Sequence, residues 1–329
     1  MKFITFGEHS MAQILKRLTI TLGIGVVAPV AHAQDAMQDP LFGAQVFQLN
    51  LGIAAPANSL QETLTYPNGG GATILTTGSL DFGTGGRAEI SYSRPWGDAS
   101  RFYVELAGMR AIGEETILIV GPAATFPGSY DDGYQLPTGY SVATDVKTEM
   151  AFLKAGREWA MNDTWRASAG VQVGQVSQEF QAESFDTALV SSRTLTATGS
   201  NQLFGVQGGL SHYVPLNEKT ALRSTMTLGV MTNSYDYAYR NIETTGGATE
   251  QAADASGNST AFSAGVSVAL EHQMTTNGYL SFKVGVGGLF NVVNAADTFL
   301  DPAGTASTAK IDHDSIVSSY VTVGYVFRF

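Results

Sequence analysis

The last ten residues, Tyr320-Val321-Thr322-Val323-Gly324-Tyr325-Val326-Phe327-Arg328-Phe329, place apolar side chains at 321, 323, 325, 327 and 329. Polar or small ones fall at 320, 322, 324 and 328. A period of two predicts a strand with one greasy face. The pattern predicts nine more strands upstream. About 44–53 sets Phe47, Leu49, Leu51 and Ile53 against Gln48 and Asn50. About 86–95 sets Ala88, Ile90 and Tyr92 against Arg87, Glu89, Ser91 and Ser93. About 101–112 sets Phe102, Val104 and Leu106 against Tyr103 and Glu105. In 147–160, Ala151, Leu153, Ala155 and Trp159 point outward and Lys154 and Glu158 inward, because the reverse puts Lys154 in lipid at about 2–4 kcal/mol. Strands at 164–178, 202–214, 219–232, 260–273 and 278–292 follow, with Arg166, Gln207, Arg223, Glu271 and Lys283 on their polar faces.

The connections alternate in length. Short ones are 95–100, 161–163, 215–218 and 274–277, and long ones are about 54–85, 113–146, 179–201, 233–259 and 293–314. Short turns on one side and long loops on the other are the anatomy of a closed antiparallel transmembrane β-barrel. Closure also removes the sheet edges that lipid cannot satisfy. The expected fold is therefore all-β, one barrel of ten strands, with eight or twelve as alternatives. The count turns on 72–82 and 116–120, which can extend strands or add a pair. Trp96, Trp159, Trp165, Tyr325, Phe327 and Phe329 fall near the short-turn ends and form the expected inner aromatic girdle. A secreted β-sandwich explains the alternation but not the loop rhythm and the girdle together.

Residues 1–33 have the order of an export signal. Lys16 and Arg17 precede an apolar stretch from Leu18 to Val30, and Ala31-His32-Ala33 offers an A-x-A cleavage site. The expected mature barrel domain is 34–329, facing an outer membrane. No cysteine is present, so neither disulfides nor thiolate chemistry enters. Cleavage removes three of 18 basic and one of 29 acidic residues, leaving 15 against 28 and a net charge of −13. Such a balance has no basic footprint for nucleic acid.

The export signal, the strand rhythm and the terminal Y-V-F-R-F together resemble a Gram-negative outer-membrane β-barrel over essentially the whole mature chain. The resemblance implies partners: outer-membrane lipid and lipopolysaccharide, and the barrel-assembly machinery, to which the terminal aromatic strand is presented. Within that class, Leu80-Asp81-Phe82-Gly83-Thr84-Gly85-Gly86-Arg87-Ala88-Glu89-Ile90-Ser91-Tyr92 is similar to an early segment of the Legionella-type major outer membrane protein family. Members are regarded as pore-forming. The chain lacks the cysteines typical of the Legionella proteins.

The inward faces carry Arg87, Lys154, Arg166, Arg223, Lys283 and Arg328, with Glu89, Glu105, Glu158 and Glu271. These charges either line a hydrated pore or hold a narrow barrel together as salt bridges. Inward Gly, Ala and Ser leave room for water, so the leading expectation is a porin-like barrel passing small hydrophilic solutes. The alternative is a closed structural or surface-interaction barrel acting through acidic loops. Those loops hold Glu114, Glu115, Asp131, Asp132, Asp145, Glu183, Asp186, Asp236, Glu243, Glu250, Asp254, Asp297, Asp301, Asp312 and Asp314. No cofactor or metal is expected, since no loop has calcium-loop spacing. Ten strands is also the omptin protease count, and Asp312-His313-Asp314 and Asp131-Asp132 are its acidic and His candidates here. His313-Asp314-Ser315 is similar to the H-x-S pair of lipid A deacylases. Neither pattern is otherwise present, so no catalysis is expected.

Overall fold

The computed structural model describes residues 39–58, 64–67, 73–76, 83–97, 99–118, 124–125, 135–136, 141–185, 191–243, 249–295 and 313–329. The expected signal segment lies outside them. Ten long strands close into one antiparallel ring: β1 (Val46–Asn58), β4 (Thr84–Pro95), β5 (Ser100–Leu118), β8 (Ser141–Ala160), β9 (Trp165–Phe185), β10 (Ser191–Asn217), β11 (Thr220–Glu243), β12 (Thr249–Thr275), β13 (Gly278–Val293) and β14 (His313–Arg328). Two short hairpins, β2 (Leu64–Pro67) with β3 (Thr73–Thr76) and β6 (Ala124–Thr125) with β7 (Gln135–Leu136), form separate two-stranded sheets. The two uncertain stretches divide: Thr116–Leu118 prolongs β5, and Thr73–Thr76 joins a hairpin outside the ring. The ring count of ten stands.

The register fixes the barrel's width. Paired residues run from Val46 through Ser93, Tyr103, Gly156, Gly170, Gln207, Gly229, Ser263, Leu289 and Ile316, and return to β1 at Asn58, twelve residues above the start. Ten strands with that stagger tilt by about 40° and enclose a backbone diameter of about 20 Å. Inward side chains from opposite walls meet across such a width.

Every inward and outward assignment along the spanning segments follows the expected alternation. On β11, Met226, Leu228 and Val230 are exposed, while Gly229 and Met231 are buried. From Leu222 to Val230 the apolar outer band is about 21 Å tall, near the band of about 25 Å that lipid requires.

The strands do not stop where the band stops. Segments expected as loops, 179–201 and 233–259, are mostly strand. Above Val230 the alternation continues with its polarity exchanged. Outward residues become Thr232, Ser234 and Asp236, and inward ones become Met231, Tyr237 and Tyr239, all three buried. A strand with water outside and a core inside keeps its pairing, so β11 runs about 30 Å past the band as part of a collar. Glu114, Glu115, Asp145, Glu183, Asp236, Glu243, Glu250, Asp254 and Asp314 therefore sit on strands, not in loops. Asp131, Asp132, Asp186, Asp297, Asp301 and Asp312 lie outside the described residues.

The girdle is where the alternation puts it. Trp96, Trp159, Trp165, Phe327 and Phe329 are exposed near the short turns. Trp165 stacks on His212 with ring centroids 4.4 Å apart, and Tyr325 meets Phe327 at 4.5 Å.

Candidate functional site: the barrel lumen

Three tiers fill the described lumen. The lowest lies at the short-turn mouth and comes from before β1. Pro40 starts a turn in which the Asp39 carboxylate accepts the Leu41 N–H at 3.0 Å and Phe42 N–H donates to Asp39 O at 3.1 Å. This knot reaches opposite walls. Asp39 pairs with Arg223 of β11 at 2.9 Å, and Phe42 lies under the Arg166 guanidinium of β9 at 4.4 Å. Leu41 packs in a buried cluster with Val46, Tyr279 and Val326. Burial pushes the Asp39 carboxyl up, but Arg223, Arg101 and the Leu41 N–H outweigh it and hold it below the ordinary range. Around the knot, Arg101 pairs with Glu158, Ser211 donates to Glu158 at 3.2 Å, and Arg223 Nε pairs with Glu271 at 3.0 Å.

The middle tier is an ion-pair layer. Lys283 Nζ donates to both Glu89 oxygens at 2.8 and 3.1 Å, and Asn50 Nδ2 donates to the same carboxylate at 3.2 Å. Arg87 approaches Glu89 at 3.5 Å and lies over the Tyr320 ring at 4.1 Å. Lys154 pairs with Glu105 at 2.7 Å. Several inward glycines, expected to leave room for water, have larger side chains of neighbouring strands lying over them, whereas Gly287 has no side chain within 4 Å of where a Cβ would stand. A Cβ at Gly156 or Gly170 would come within 2.8 or 2.9 Å of the Tyr103 hydroxyl, and one at Gly285 within 2.5 Å of Tyr320. Gly174 is covered by Phe152 and Gly229 by Gln172. Small residues here accommodate their neighbours' bulk, the same device by which aromatics cover strand glycines elsewhere.

The upper tier is apolar. Val176, Leu203, Met231, Ala261, Leu289, Val292 and Ile316 form one buried cluster across six neighbouring strands, with Met150 and Phe152 of β8 packed against it. Here β13 leaves the wall. Asn291 takes φ 62° in a register shift between Phe290 and Val292, and its side chain donates to Thr260 O at 2.6 Å. A left-handed residue turns the strand, and asparagine tolerates that backbone better than most. Beyond it, Val293 is clamped by Asn201 of β10, with β11 and β12 standing between. Asn201 Nδ2 donates to Val293 O, and Val293 N–H donates to Asn201 Oδ1, both at 2.8 Å. Asn233 braces the clamp at 2.9 Å. Val292 to Ala295 are 2% exposed or less. His313, at the start of β14, meets the edge of Tyr235 of β11 at 5.0 Å. The upper β13–β14 hairpin thus leans across the lumen.

Of the expected lumen residues, Arg87, Glu89, Glu105, Lys154, Glu158, Arg223, Glu271 and Lys283 all enter these networks. Arg166 is buried but turns down onto the carbonyls of Asn162, Asp163 and Trp165. Arg328, the last residue of β14, is half-buried at the short-turn rim and donates to Thr276 O at 2.9 Å. Asp39, Arg101, Asn201 and Asn291 were not anticipated. The Asp-Pro-Leu-Phe turn was a usable signal for the first, since Asp before Pro favours turns. Nothing in the sequence marks Asn201 as a clamp. Among the described residues no group of three His, Asp or Glu is placed to hold a metal ion.

A scan against protein-family models finds no match, and neither does a search of curated proteins. Solved structures do resemble the chain. The outer membrane protease OmpT from Escherichia coli is 9% identical, with a TM-score of 0.41 over 87% of this chain and 97% of that one. The translocator domain of the autotransporter NalP from Neisseria meningitidis is 12% identical, with a TM-score of 0.39 over 97% and 96%. The Pseudomonas putida toluene transporter TodX is 11% identical, with a TM-score of 0.31 over 87% and 90%. Likenesses this distant say nothing of activity. The closed ring, the apolar outer band and the polar lower lumen are by themselves those of an outer-membrane β-barrel.

Proposed function

We propose that this is a closed barrel that acts at the cell surface through its collar and acidic outer segments. The leaning β13–β14 hairpin carries the reading: its backbone is hydrogen-bonded to Asn201 beside the buried apolar tier. Covered glycines and a paired charge layer beneath support it. On the collar, Glu179, Asp236 and Asp254 face outward and exposed, which suits a partner with a basic surface. The outer band and the terminal strand are the faces offered to lipid, lipopolysaccharide and the barrel-assembly machinery. No catalytic residue is assigned, since the His313 ring packs on Tyr235.

The porin-like pore remains the second reading. Two observations favour it: Leu80–Tyr92 resembles the pore-forming Legionella-type family, and the hairpin turns at one left-handed residue, Asn291, whose reversal would open the upper tier. Single-channel recording of refolded Gln34–Phe329 in a planar bilayer separates the two. The closed barrel is silent, and Asn201→Ala with Leu203→Ala and Met231→Ala admits brief openings. Discrete, cation-selective steps from the unmodified chain overturn the closed reading in favour of the pore.

A further inference from the structure

Two groups of basic residues contrast. Inside the barrel Arg87, Arg101, Lys154, Arg223 and Lys283 each hold a carboxylate. On the outer wall, at the short-turn edge of the apolar band, Arg94 of β4 and Arg157 of β8 are exposed and pair with no carboxylate among the described residues. The register puts them in one row. Arg94 stands opposite Phe102 of β5, and Phe102 stands opposite Arg157, so the two arginines flank one aromatic about 10 Å apart.

Both guanidiniums are held ready. Arg94 lies 5.7 Å from the centre of the Trp96 ring, and Arg157 lies 5.7 Å from that of Trp159. Arg157 also donates through Nε and Nη2 to Ser100 Oγ at 3.0 and 2.7 Å, and Ser100 Oγ donates to Trp96 O at 2.5 Å. Beside Arg94 a hollow of about 630 Å³ opens between Pro95, Trp96 and Phe329. Two cations therefore stand at the membrane interface of an acidic chain, each over an aromatic face, where lipid phosphates lie. A guanidinium fork matches phosphate oxygens, and the row supplies two forks with an apolar floor between them.

We propose that Arg94 and Arg157, with Phe102 between them, bind the phosphodiester headgroup of an anionic phospholipid in the short-turn leaflet. The site does not depend on whether the lumen is open. All three tryptophans of the chain, Trp96, Trp159 and Trp165, lie in the same girdle and report on it.

The test refolds the full mature chain into phosphatidylcholine vesicles containing graded fractions of dibrominated phosphatidylglycerol, and reads tryptophan quenching. The unmodified barrel should be quenched more steeply than the mole fraction of brominated lipid, with a preference of about fivefold per arginine. Arg94→Gln with Arg157→Gln should remove the preference, while Arg240→Gln in the collar leaves it. Added salt should also weaken it in the unmodified chain, a readout that needs no variant. Quenching that follows mole fraction in the unmodified chain, or a preference kept by the double variant, overturns the proposal. So does a dimer that the double variant converts to monomer, which makes this face a contact between copies.

Discussion

Removing the Glu89 carboxylate measures whether the lumen is dry. Its side chain is 5% exposed and accepts two contacts from Lys283, at 2.8 and 3.1 Å, and one from Asn50 at 3.2 Å. At 2.8 Å two unit charges attract by about 6 kcal/mol where the effective dielectric is near 20, but by about 1.5 kcal/mol in water. Desolvation offsets much of the larger figure, yet deleting one partner leaves the other buried without its counter-charge. In a dry lumen Glu89→Ala should therefore cost about 3–5 kcal/mol. In a hydrated one the pair behaves like a surface ion pair and the loss stays below about 1 kcal/mol. Urea unfolding of the refolded barrel, followed by tryptophan fluorescence, reads the difference. Glu89→Ala combined with Lys283→Met should recover only part of the loss, because Arg87, 3.5 Å from the same carboxylate, then remains without its counter-charge. A loss under about 1 kcal/mol for the single variant refutes the filled-lumen argument and strengthens the pore.

Acid should loosen the segment at the mouth before it unfolds the barrel. Asp39 has its folded value depressed below 3.8, so its contribution is present above that value and is lost as pH falls through the lower folded one. Asp39→Asn should abolish that acid step and make the segment before Gln45 cleavable by added protease at neutral pH, whereas continued protection would show that Leu41 and Phe42 suffice. On β11, Met226→Arg and Asp236→Arg both change an outward residue. The first faces lipid and should cost about 2–4 kcal/mol in the unfolding assay, while the second faces water above the band and should stay within about 0.5 kcal/mol. Equal costs would mean that the collar is not clear of the bilayer.

The barrel was legible because alternation is local. A residue's parity along its strand determines its face, and one-residue errors would invert whole strands. Lys154 and Glu158 illustrate this: the least regular strand was oriented by the cost of lysine in lipid alone, and both face inward. The collar was misread for the same reason. Beyond Val230 the periodicity persists, but hydrophobic and polar faces exchange, and reading only for greasy exteriors ended each strand too early. Which neighbour's ring lies above an inward glycine such as Gly156 or Gly285 depends on the register across strands, which a sequence does not show.

The sequence by itself determined a closed membrane barrel of about ten strands, with eight or twelve left open, and the faces of its charges and aromatics, since these follow from a period of two and from what lipid tolerates. Only the tertiary structure decided how the interior is filled. The stagger of twelve places Lys283 beside Glu89, 194 residues away in the chain, and the left-handed turn at Asn291 carries Val293 to Asn201. Such contacts depend on the tilt and width of the whole ring, which no single strand encodes.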